Sequence, residues 1–218
     1  MEIMRAFAFL ALAAFVLSFP GCAQGGAAAQ NASSGGNGGG TAFALPASEI
    51  SYHAIYNVEE GGAYRKEVWR AKDKMRSDLS MQGQKALSFF FIGSRAYSCT
   101  YIYSSPACYD VTATLSQADA DRLVPAEADV AGATQVESVK IGNSTTGKCY
   151  ELSMGALGAR KLCFAPQGVV AYDSYSVSKT ITHTEYLTDI EYFGKGEGPE
   201  EGVFVLPAAP TTAPETTN

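Results

Sequence analysis

The chain has 218 residues, a formal net charge of −6 and 46% hydrophobic side chains, which fits one domain with or without tails, since domains commonly run about 100–200 residues. Its 22 acidic residues outnumber its 16 basic ones, so no basic surplus exists to neutralise a phosphate backbone, and a nucleic-acid binder is excluded. Twelve tyrosines, 11 phenylalanines and one tryptophan exclude a chain disordered throughout.

In chain order, Arg5 precedes an apolar run from Ala6 to Phe19, and Pro20-Gly21-Cys22 follow. A basic residue ahead of an apolar core of about 14 residues has the form of a secretory signal, whose cores run about 7–15 residues. The run is shorter than the roughly 20 residues of a membrane-spanning helix. Gly21-Cys22 at its end resembles the lipobox of bacterial and archaeal lipoproteins, with Phe19 where that family usually has Leu. The resemblance implies that residues 1–22 end in a lipidated Cys22. That lipid would hold the exported protein to the outer face of the cytoplasmic membrane or to the cell envelope. Residues 23–48 are rich in Gly, Ala and Ser with no apolar period. They read as a flexible tether with a reach of roughly 25–30 Å.

Residues 49–207 carry the fold. Ile50, Tyr52, Ala54, Tyr56 and Val58 alternate with Ser51, His53, Ile55 and Asn57, the period of two expected of a strand. After the Glu59-Glu60-Gly61-Gly62 turn, Tyr64 to Lys72 predicts a second strand, and Met75, Ser77, Leu79 and Met81 alternate along a third. Gln82-Gly83-Gln84 turns into Leu87–Ile92, followed by Ala96–Tyr103 and a short Tyr109–Val111. Ser116 can cap a helix to Leu123. Beyond Pro125 the spacing predicts strands over 135–141, 148–152, 160–165, 169–177 and 180–193. The fold class is mainly β (α+β): an antiparallel meander forming an open or closed barrel with one or two short helices. The Pro/Thr-rich residues 208–218 read as a disordered tail.

Four cysteines remain beside Cys22. An even number in an exported domain predicts two disulfides with three possible connectivities. Pairing Cys99 with Cys108 and Cys149 with Cys163 ties sequence-adjacent strands. The alternative, a zinc site, lacks any Cys-x-x-Cys spacing or a neighbouring histidine.

The run Glu67-Val-Trp-Arg-Ala-Lys-Asp-Lys-Met-Arg-Ser-Asp78 is similar to a strand, lysine turn and arginine strand of LolA/LolB-like proteins. Cys149-Tyr-Glu-Leu, Lys161-Leu-Cys-Phe-Ala-Pro-Gln-Gly-Val169 and Phe204-Val-Leu-Pro207 resemble the lipoprotein-sorting-like domains of that superfamily. The resemblance implies an incomplete antiparallel barrel around a helix-lidded apolar cavity that holds acyl chains or another hydrophobic ligand. By this analogy Trp69, Met75, Leu79, Met81, Leu87, Phe89 and Phe91 are the candidate lining. Phe89-Phe90-Phe91 cannot all point to one side of a strand, so two buried faces are expected.

Other motifs carry little chemistry. Gly142-Asn-Ser-Thr-Thr-Gly-Lys-Cys149 has Cys where a phosphate loop places Ser or Thr, and it reads as a hairpin turn. No Gly-x-Ser-x-Gly elbow occurs. His53 and His183, the only histidines, read as surface or satisfied side chains, with Glu185 and Asp189 near the second. Arg65, Lys66, Arg70, Lys72, Lys74 and Arg76 read as the solvated face of a hairpin, or as a contact for anionic lipid headgroups or a partner. No catalytic residue, metal or cofactor is expected. The leading expectation is a membrane-tethered lipoprotein binding a lipid or other hydrophobic ligand. The alternative is an envelope sensor or protein-interaction module of the same fold.

Overall fold

The computed structural model describes residues 43–46, 48–102, 105–130, 132–141, 144–145, 147–154, 158–178 and 180–212. The signal segment with Cys22, the tether through residue 42 and the tail from residue 213 lie outside the described residues.

Alternation of apolar and polar residues forms the first half of the sheet. The strands are β1 (Tyr52–Glu59), β2 (Ala63–Ala71), β3 (Lys74–Met81), β4 (Gln84–Ile92), β5 (Arg95–Ile102) and β6 (Ser105–Asp110). Tight turns join them. Gln82 and Gly83 both take positive φ, 51° and 77°, the backbone of a two-residue hairpin loop whose twist matches its strands. After β6 the chain leaves the sheet for one helix, α1 (Gln117–Leu123). Ser116 caps α1 as expected: its side chain accepts from Asp119 N while Asp119 bonds back to the Ser116 backbone.

The second half contains β7 (Thr134–Val136), β8 (Lys140–Ile141), β9 (Ser144–Thr145), β10 (Cys149–Ser153), β11 (Ala159–Phe164), β12 (Val170–Ser176), β13 (Thr182–Tyr192) and β14 (Pro210–Thr212). The single strand expected over 135–141 is interrupted, and Ser138 donates its hydroxyl to Gly147 O at 2.8 Å. β8 and β9 form a separate hairpin, and Cys149 opens β10 rather than a helix. The Gly142–Cys149 segment therefore lacks the helix N-terminus a phosphate loop needs.

Twelve strands make one sheet in the order β14-β6-β5-β4-β3-β2-β1-β13-β12-β11-β10-β7. All pairs are antiparallel except β14 with β6, and the sheet does not close into a barrel. Register follows the apolar pattern, because a one-residue slip would turn every core side chain to the other face. Register shifts occur between Leu79 and Ser80, between Cys163 and Phe164, and between Ile55 and Tyr56, the last opposite Asp189 and Leu187. The extra residue there, Thr188, returns its hydroxyl to Ile55 O at 3.0 Å.

Both faces of the sheet are covered. On the inner face Tyr52, Ala54, Tyr56, Val58, Val68, Met75, Phe91 and Ala96 pack with Phe43, Leu45, Ala120 and Val169. On the outer face Phe90, Cys99 and Cys108 pack with Tyr97, Tyr101, Leu206 and Ala208. The three phenylalanines divide as expected, with Phe90 outward and Phe89 and Phe91 inward. Both disulfides have the expected pairing, Cys99–Cys108 and Cys149–Cys163, and each joins residues directly opposite on adjacent strands.

The ordered chain extends past the expected boundaries of 49 and 207 at both ends. Phe43 and Leu45, read as tether, are 2% and 5% exposed. Residues 210–212, read as tail, pair with β6. Neither segment has a strand or helix period; each is held by a surface formed elsewhere in the chain. We predict that Phe43→Ala lowers unfolding stability by about 3–5 kcal/mol, the usual cost of emptying a buried phenylalanine site. A urea titration of the protein reads this directly, and a change near zero would place Phe43 outside the core.

Candidate functional site

Register aligns one row of side chains across the inner face. Tyr192 lies opposite Tyr52, Tyr52 opposite Arg70, Arg70 opposite Met75, Met75 opposite Phe91 and Phe91 opposite Ala96. One end of the row is polar and the other apolar. Ser77–Phe89 and Leu79–Leu87 are the next cross-strand pairs beside Met75–Phe91. Of the expected lining, Met75, Leu79, Leu87, Phe89 and Phe91 therefore share this face. Met75 and Phe91 are almost fully buried.

Trp69 and Met81 do not join them. Trp69 pairs with His53 and Arg76 on the outer face, because it follows Val68, which points inward. Met81 ends β3 and is 46% exposed; the register shift after Leu79 leaves it opposite Gln84 at the hairpin tip.

Arg70 is the unusual member of the row. It is 1% exposed, and no described carboxylate forms an ion pair with it. Its guanidinium donates to Lys74 O at 3.0 Å and to Pro46 O. Burial pushes its pKa below the usual arginine value. Among the described residues its Nε and the Tyr192 hydroxyl are buried without a hydrogen-bond partner. Burial, partly opposed by Arg70, also raises the Tyr52 phenol to about 12.

Two short segments cover the row. Phe43 packs on Phe91 with ring centroids 5.7 Å apart. The first segment is fastened by Leu45 N to Gly93 O at 3.2 Å and Ser48 N to Lys72 O at 3.0 Å. The second segment contains α1, joined to the first by a paired amide contact. Ala44 N donates to Gln117 Oε1 at 3.0 Å, and Gln117 Nε2 donates to Ala44 O at 3.1 Å. Side-chain packing rather than a hydrogen-bond ladder holds this cover to the sheet.

Beyond Tyr56 the same face becomes ionic. Lys66 Nζ bonds both Glu185 oxygens at 2.8 and 2.9 Å and lies 5.3 Å from the Tyr56 ring centroid. His183 Nδ1 meets Glu60 Oε2 at 2.7 Å, and its Nε2 is 3.8 Å from Glu185. Tyr175 stacks on His183 at 4.7 Å. Arg160 forms a two-pronged pair with Asp173 at 2.8 and 2.7 Å. Burial would push the His183 pKa down, but the Glu185 and Glu60 carboxylates outweigh it and raise the imidazole to about 9. Burial would raise the Glu185 pKa, but Lys66 and His183 hold it at about 2. With both ring nitrogens facing carboxylates, a protonated His183 is an ion-pair partner rather than a free general base.

The basic residues of the β2–β3 hairpin form no single solvated patch. Lys66 and Arg70 point inward, while Arg76 points outward and forms a two-pronged pair with Asp78, both bonds 2.8 Å. Arg76 also lies 5.1 Å from the ring centroids of Trp69 and Phe90 and donates to Val203 O at 2.8 Å. Lys74 pairs with Glu201 at 2.6 Å. The alternating strand divides these charges between two faces.

Sequence reasoning named Lys66 and Arg70 as a hairpin surface and Glu185 as a neighbour of His183, but missed the Lys66–Glu185 pair, the burial of Arg70 and the Glu60 partner of His183. A signal was present: Lys66 and Arg70 share the inward phase of Val68, and Glu185 shares that of Leu187. A charge in the apolar phase of a strand must find a partner.

We predict that Lys66→Met, which strands Glu185, destabilises the fold by about 3 kcal/mol. Adding Glu185→Leu should recover most of that loss in a urea titration. The ionic cluster also sets a pH profile. The raised His183 pKa contributes stability fully below its ordinary value of 6.5, and this is lost as pH rises towards about 9. The lowered Glu185 pKa contributes above its ordinary 4.5, and this is lost as pH falls towards about 2. Stability should therefore decline above pH 6.5, and His183→Gln should flatten that limb. An unchanged slope in this variant would assign the decline to other groups.

No family model matches this chain, and no curated protein matches it.

Proposed function

We propose that the protein binds a single-chain anionic amphiphile, such as a fatty acid, on the inner face beneath the cover. In this reading the domain is a LolA-like open half-barrel held at a membrane by a lipidated Cys22, and it performs no catalysis. The row Tyr192–Tyr52–Arg70–Met75–Phe91–Ala96 carries the proposal. A carboxylate would meet Arg70 and Tyr192, whose Nε and hydroxyl have no partner among the described residues. An acyl chain would run along Met75, Phe89, Phe91 and Leu87. The ligand would take the place held by Phe43, Leu45 and Pro46, so binding requires the cover to lift. Guanidinium is suited to the headgroup because its planar fork matches a carboxylate.

One observation favours the alternative, an interaction module without a lipid ligand. The inner face is already filled by the chain's own Phe43 and Leu45, and an exchange of ligand for cover must repay the lost packing.

Native mass spectrometry of the full-length protein after oleate addition separates the two readings. The expected result is a one-to-one oleate adduct. Arg70→Met should weaken oleate binding by about tenfold or more and leave oleyl alcohol, which lacks the carboxylate, nearly unaffected. Absence of any adduct, together with an empty lipid extract, would overturn the lipid reading. Replacing Cys22 with Ser should release the protein from membranes into the soluble fraction; retention there would refute the anchor.

A further inference from the structure

A depression of about 390 Å³ opens at the turn end of the sheet, away from the amphiphile row. Its walls are Asn57, Val58, Glu59, the start of β2, Ser80, the Gln82-Gly83 turn and Tyr186. None of the seven residues first expected to line a hydrophobic site borders it.

We propose that this depression binds a neutral saccharide of one or two rings. Strand register builds its floor. Tyr186 lies opposite Asn57, Asn57 opposite Arg65 and Arg65 opposite Ser80. These four side chains therefore form one transverse row on the outer face, on four adjacent strands. The Asn57 amide donates to the Tyr186 hydroxyl at 3.3 Å, and Arg65 pairs with Glu67 at 3.1 Å. Both contacts orient polar side chains beside the space. Tyr186 lines the space from the outer face, whereas Tyr64 borders it from the inward phase of β2, opposite Val58.

The composition selects the ligand class. Acyl chains need a lining that is predominantly apolar with a few polar groups, whereas most side chains here are polar. Amide, guanidinium, hydroxyl and carboxylate groups supply donors and acceptors in many directions, which suits the hydroxyls of a sugar. The Tyr186 side chain supplies flat apolar surface for the C–H face of a pyranose. Charge selects further: the carboxylates of Glu59 and Glu67 outnumber the single Arg65 guanidinium in the lining. An acidic sugar would meet net negative charge, which disfavours it against a neutral one. The size also fits, since small-molecule sites occupy about 300–1,000 Å³.

The test uses the full-length protein with cellobiose, maltose and N,N′-diacetylchitobiose as neutral probes and digalacturonate as the acidic comparison. Saturation-transfer NMR and calorimetry read binding. At least one neutral disaccharide is expected to bind with a dissociation constant of about 1 mM, and Tyr186→Ala and Arg65→Ala should each weaken it by about tenfold. Arg65 has a side chain 54% exposed, so its variant keeps the fold intact even where Tyr186→Ala disturbs the sheet. Oleate binding should be unchanged in Arg65→Ala, which separates this site from the amphiphile row. The proposal is overturned if no neutral probe binds by about 20 mM, if Arg65→Ala binds as tightly as the unmodified protein, or if digalacturonate binds more tightly than every neutral probe.

Discussion

The pairing of β1 with β13 is the constraint on which the rest of the molecule depends. It joins Tyr52–Glu59 to Thr182–Tyr192, segments far apart in sequence, and turns two local meanders into one twelve-stranded sheet. Loop closure over that distance costs entropy before any contact compensates, so the seam must bury a good deal. It does so by placing Tyr52, Ala54, Tyr56 and Val58 in the middle of the inner core. The ionic cluster lies along the same seam. Lys66 on β2 reaches Glu185 on β13, and Glu60 in the β1–β2 turn reaches His183. These ion pairs connect the two halves where apolar packing ends.

An open sheet with apolar side chains on both faces needs two covers, and the chain supplies them from its margins and from the mid-chain helix α1. Residues 43–46, residues 48–50 and α1 occupy the inner face. Leu206 and Ala208 pack against the outer core, while Arg76 and Lys74 fasten the preceding turn. β14 then pairs with β6, so this part of the sheet edge is not left free for another strand. The covers differ in kind from the sheet. Strands are locked by ladders of backbone hydrogen bonds, whereas the inner cover rests on side-chain packing and a few backbone contacts. That contrast makes the cover the natural part to move under the amphiphile binding proposed above.

Much of the fold could be read from local pattern. Strands announced themselves by period two, Ser116 by its capping chemistry, and the phenylalanine triplet by the alternation that separates Phe90 from its neighbours. The disulfides were readable because each pair spans one hairpin. The candidate lining was read only in part. Met75, Leu79, Leu87, Phe89 and Phe91 share a face because they keep phase across β3 and β4. Trp69 was misplaced by one residue of phase, whereas Met81 keeps the phase of Leu79 but ends β3 at the exposed hairpin tip. The inner-face row from Tyr192 to Ala96 could not be assembled from spacing, since it draws Tyr192 and Arg70 to opposite sides of Tyr52.

By itself the sequence determined strand identity, turn position, the helix cap and the local disulfides, because each rests on interactions within a few residues or between adjacent strands. Only the tertiary structure decided which strands meet across the seam, that the sheet stays open, and that Phe43 and Pro210–Thr212 belong to the folded body. Those outcomes depend on surfaces assembled from distant segments. A segment with no period of its own, such as 43–46, is ordered only after a distant apolar face exists to receive it. Likewise, Lys66 and Arg70 carry the same charge on the same strand face, yet one meets a carboxylate and the other backbone carbonyls. Their partners lie on other segments, so the difference is electrostatic and belongs to the assembled fold.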